Sequence, residues 1–79
     1  MYSQEMPFES YSVRRQSQIM WDTFKTEWSA LSKIEIFNKA KKMSTRLVFL
    51  NKLKEEDKEL FTDLFLLEYT KINKTQNNG

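Results

Sequence analysis

Cysteine and histidine are both absent from this 79-residue chain. Without them there is no disulfide, no thiolate nucleophile and no imidazole base, and nearly every kind of zinc site is excluded. Glycine and proline are almost as scarce, with Pro7 and Gly79 the single examples of each. Nothing between them supplies the chain-reversing residues on which β-hairpins depend, which argues against a sandwich or barrel. Long apolar runs are missing too. The longest, residues 47–50 and 64–67, are four residues each, against the roughly 18 to 20 needed to span a bilayer. Residues 1–10 lack the apolar run and small-residue cleavage site of a secretion signal. The expected protein is cytoplasmic, with no membrane span. Few glycines and alanines beside many lysines, asparagines and phenylalanines are what an AT-rich genome yields, with a virus or a plasmid among the sources.

What remains is helical in pattern, and the expected fold is an all-α, small three-helix bundle. At this length one domain is expected over 1–79. Residues 1–11 read as an irregular N-terminal arm. Ser12 is placed to cap a first helix over 12–30, whose apolar stripe is Val13, Met20, Trp21, Phe24, Trp28 and Leu31. Ser32-Lys33-Ile34-Glu35 has the S-x-x-E spacing of a capping box and opens a second helix over 33–52. Its stripe is Ile36, Ala40, Met43, Leu47 and Leu50, and Ser44-Thr45 is where it would bend or divide. A third helix is expected over 55–73, its acidic start Glu55, Glu56 and Asp57 suiting the positive end of the helix dipole. Residues 74–79 read as a flexible C-terminal tail.

The chemistry these residues offer is not that of an enzyme. A general base would have to be a perturbed carboxylate or lysine. Glu55 and Glu56 stand at helical spacing from Glu59, but nothing in the segment desolvates them, and only desolvated pairs titrate abnormally. None of the seven serines lies in a G-x-S-x-G setting, and no glycine loop cradles a phosphate. No catalytic residue, cofactor, metal or small-molecule substrate is expected.

Charge is small in total, +2, but uneven. Residues 33–54 carry seven cations against Glu35, and residues 55–68 carry six acids against Lys58. Lys39, Lys42 and Arg46 share one helical face, with Lys41 beside it and Arg14 and Arg15 as a further extension. Such a face suits nucleic-acid phosphates. Three considerations weigh against it as the main function. Arginine is a minority of the cations, the aromatics do not alternate with the basic residues as stacking platforms do, and an acidic third helix alongside would cancel the field. A basic amphipathic helix also suits anionic lipid, but the same pattern serves packing in a bundle.

The remaining feature is apolar excess. Leu60, Phe61, Leu64, Phe65, Leu66, Leu67 and Tyr69 cover most of the third helix's circumference at 100° per residue. On the second helix Phe49 and Leu53 project nearly opposite the main stripe. A helix apolar on more than one side is buried on more than one side. The expected function is therefore a small protein-binding module, a regulator, inhibitor or accessory subunit, or a homodimer. Its expected contact residues are Phe49, Leu53 and Leu66, with Ile19 and Tyr69 added. The alternative is nucleic-acid binding through Lys39, Lys41, Lys42, Arg46, Arg14 and Arg15.

Overall fold

The computed structural model describes the backbone of residues 6–77 and the side chains of residues 6–71. A 3-10 turn over Phe8–Ser10 leads into α1 (Val13–Trp28), α2 (Lys33–Phe49), a second 3-10 turn over Glu55–Asp57, and α3 (Lys58–Asn77). There is no strand among the described residues. The all-α three-helix expectation is met.

Two of the three helix starts have a side-chain cap. Ser12 Oγ accepts the amide N–H of Arg15 at 3.2 Å and so caps α1. At α2 both halves of the capping box form. Ser32 Oγ accepts the amide of Glu35 at 3.3 Å, and the Glu35 carboxylate accepts the amide of Ser32 at 2.9 Å. Lys54 offers no side-chain cap, and the acidic 55–57 segment enters as a 3-10 turn before α3 begins at Lys58. Ser44 does not divide α2. Its Oγ donates back to the carbonyl of Lys41 at 2.8 Å, and the helix continues through it.

Two boundaries differ from expectation. Helix 2 stops at Phe49 rather than 52, because Asn51 takes a left-handed conformation with φ of 62°. The amide of Lys52 then donates to Leu47 O at 2.8 Å and that of Asn51 to Val48 O at 3.0 Å. This is a Schellman ending, in which a left-handed residue just past the helix lets two orphan carbonyls be satisfied. At the other end α3 runs through Asn77, so residues 74–77 are helical backbone where a tail was expected. The ends of the arm and tail, 1–5 and 78–79, lie outside the described residues.

The core is Trp21 from α1, Ile36, Ala40 and Leu47 from α2, Leu53 from the connection, and Phe61, Phe65 and Tyr69 from α3. α3 packs against both α1 and α2, which make no comparable backbone interface with each other. The result is flat, 37 × 32 × 18 Å. One side of α3 carries the core, and among the described residues the opposite side has no neighbouring helix. Trp21 stands edge-to-face with Phe65 at 5.4 Å and with Tyr69 at 5.8 Å, geometries that aromatic quadrupoles favour. Gln16, buried in α1, ties the periphery to this core. Its Nε2 donates to Phe8 O at 3.0 Å and to Lys52 O at 2.9 Å, fastening the arm and the α2–α3 connection to one side chain.

Candidate interaction surfaces

Of the five expected protein-contact residues, only Phe49 stands well out in solvent, at 83 % exposed. Leu53 and Tyr69 are corrected: both are buried core residues. The expected position of Leu53 opposite the α2 stripe requires helical backbone up to residue 52. The Schellman ending reverses the chain before it, and Leu53 folds inward instead. Tyr69 packs edge-on to Trp21 and donates its phenolic O–H to Leu31 O at 2.7 Å, so both its ring and its polar end are spent internally. Leu66 is partly buried and packs against the core, and Ile19 is half-buried.

Besides Phe49, Ile34 and Leu50 are exposed, and a line of open apolar residues lies on α3. Leu60 and Leu67 are 49 % and 42 % exposed, and Leu64 between them is half-buried. Their spacing of four and then three residues sets them in one line along the helix. Phe61, Phe65 and Tyr69 fill the opposite arc, and all three are buried. Asp63 and Lys71 are exposed beside the leucine line, and Glu68 pairs with Lys71 at 3.3 Å. Sequence reading missed this surface because an all-round apolar helix has no unique inward side. The one hint is that Phe61, Phe65 and Tyr69 form a line of their own, at a regular four-residue spacing and with the larger side chains.

The α2 cations form a second surface. Lys39, Lys41, Lys42 and Arg46 are all exposed. Lys39 Nζ lies 5.1 Å from the centre of the Trp28 ring, and Lys41 Nζ 5.7 Å from that of Phe37. Ion pairs among the described residues join Asp22 to Lys25, Glu9 to Lys52, Glu55 to Lys58 and Glu68 to Lys71, and none joins α2 to α3. The expected cancellation by the acidic segment is therefore incomplete. Glu59 and Asp63 do share one groove with Lys41, of about 260 Å³, but not with Lys42 or Arg46. The expectation that the aromatics do not alternate with the basic residues is corrected at one position, Phe49. Lys41, Lys42, Thr45, Arg46 and Phe49 line one shallow hollow of about 500 Å³. Arg14 and Arg15 are exposed on α1, a separate helix without a close backbone interface to α2.

Comparison with protein-family models, with curated proteins and with solved structures found no match. The two surfaces are thus read on their own chemistry. Among the described residues there is no group of three or more acidic side chains placed to hold a metal ion. No helix among them is long and apolar enough to cross a membrane.

Two carboxylates are held below the ordinary glutamate range, and both serve structure. Glu35 is lowered first by the Ser32 amide and then by the Ser32 hydroxyl, and Glu9 by a backbone amide and then by Lys52. Both are surface groups that stabilise turns.

Proposed function

We propose that this chain is a small, non-enzymatic protein-binding module of the cytoplasm, acting as a regulator, inhibitor or accessory subunit. Its contact surface is the outer side of α3, and the partner is an amphipathic helix laid along Leu60, Leu64 and Leu67. The observation that carries this reading is the open leucine line on a helix whose other side already holds a complete aromatic core. Helix recognition reads anchors at this kind of spacing. Three aligned leucines differ from the scattered exposed apolar residues that are normal on any surface. Asp63 and Lys71 supply a polar rim, as interfaces of this kind have around an apolar centre.

The test compares the wild-type chain with Leu60→Gln/Leu67→Gln as bait in extracts of the organism that encodes it. A protein captured by the wild type and lost by the folded double variant supports the reading. Equal capture by both overturns it. Light scattering on the same two proteins reads self-association, with a second copy as the partner if the mass halves in the variant.

A further inference from the structure

We propose that the outer face of α2 is a binding site for single-stranded nucleic acid, with Lys42 and Arg46 holding phosphates and the ring of Phe49 stacking a base. Positions 42, 46 and 49 follow i, i+4, i+7 spacing, so they form one line about 10 Å long. Lys42 and Arg46 are exposed and take part in none of the ion pairs among the described residues. Lys41 and Thr45 complete the hollow that they share with Phe49. Desolvating a large ring at the surface is favourable, so a phenylalanine 83 % exposed among cations is a group that lacks its complement. A nucleotide supplies both missing parts, an anion for the cations and a flat face for the ring. Every base has such a face, so this recognition is indifferent to sequence.

Charge complementarity selects an anionic occupant, and the surroundings select a narrow one. Glu59 and Asp63 border the next groove, beside Lys41. A duplex would carry its second row of phosphates over those carboxylates, whereas a single strand can follow the α2 line alone. An acidic peptide would neutralise the cations but leave the Phe49 ring without a flat partner. The dipole is consistent with this placement. Phe49 is the last residue of α2, at its negative end, where a base is better tolerated than a phosphate.

The experiment is fluorescence anisotropy with a labelled oligo-dT of about 12 nucleotides, long enough to cover one such site. With Lys41 beside Lys42 and Arg46 in the hollow, about three cations are engaged, and affinity should fall roughly a hundred-fold for each tenfold rise in salt. Phe49→Ala should weaken binding roughly tenfold or more through the lost stack. Lys42→Glu with Arg46→Glu should abolish it, with circular dichroism confirming that each variant is folded. Duplex DNA of the same length, polyglutamate and anionic lipid vesicles are run as competitors. No binding to oligo-dT at low salt overturns the proposal. So does an unchanged affinity in Phe49→Ala, or tighter binding of any of the three competitors.

Discussion

Replacing Leu60 and Leu67 together by glutamine separates the two sides of α3 more sharply than any other change. Fully burying a leucine side chain is worth about 1.5 to 3 kcal/mol. Roughly half of each of these side chains is already in water. Glutamine also keeps part of the contact through its methylenes, and its helix propensity is close to that of leucine. The expected cost is about 0.5 to 1 kcal/mol per site, or about 1 to 2 kcal/mol for the pair. A domain of this length has about 4 to 12 kcal/mol in all, so the double variant should fold. Phe65→Ala is the control on the opposite side. Phe65 is fully buried, with Trp21 at 5.4 Å, Trp28 at 6.1 Å and Phe61 at 6.2 Å between ring centres. Removing it should cost about 3 to 5 kcal/mol, enough to unfold much of the population. Urea denaturation followed by tryptophan fluorescence reads both, since Trp21 and Trp28 sit against Phe65. A double variant destabilised as severely as Phe65→Ala would show that the leucines are core, and the protein-binding reading would go with it.

Other outcomes follow from local geometry. Asn51→Gly should leave stability within a few tenths of a kcal/mol or raise it slightly, whereas Asn51→Val should cost about 1 to 2 kcal/mol, because a β-branched residue resists the left-handed conformation at φ of 62°. Equal denaturation midpoints for the two variants would contradict the Schellman ending. The capping box predicts an acid-sensitive α2. Glu35 has a depressed pKa in the folded chain, so its contribution is complete above the unfolded value, about 4.3 for glutamate. That contribution is lost as pH falls through the lower folded value. Thermal melts by circular dichroism should show this loss, and Ser32→Ala should diminish it. A melt profile identical in the two proteins across the acid range would refute the assignment.

How much was legible in the sequence depended on whether a local signal existed. Ser12 and the Ser32–Glu35 pair act within one turn of backbone, and both caps form as the sequence predicts. Asn51 also acts locally. It is a residue type that tolerates the left-handed region, but with no glycine or proline nearby the sequence predicts helix up to residue 52. That one misplaced boundary turned Leu53 from core into surface. Ser17 and Ser44 are buried within the apolar stripes of α1 and α2, each turning its hydroxyl back to a carbonyl of its own helix. Hydropathy alone would have set them in water.

Composition and pattern by themselves determined that the chain is helical, where two of its three helices begin, and that histidine and cysteine chemistry is absent. They also determined that the apolar residues outnumber what one stripe per helix can hold. Which of those residues face inward was decided by tertiary packing. α3 presents a line of large rings and a line of leucines, and both satisfy helical periodicity equally. The aromatic line interlocks with Trp21 and the carbonyl of Leu31, contacts that come from distant parts of the chain, and that choice leaves the leucines outside. The company Phe49 keeps has the same origin. Helical spacing set it in line with Lys42 and Arg46, but only the packing of α2 against α3 through its other face turned that line to solvent.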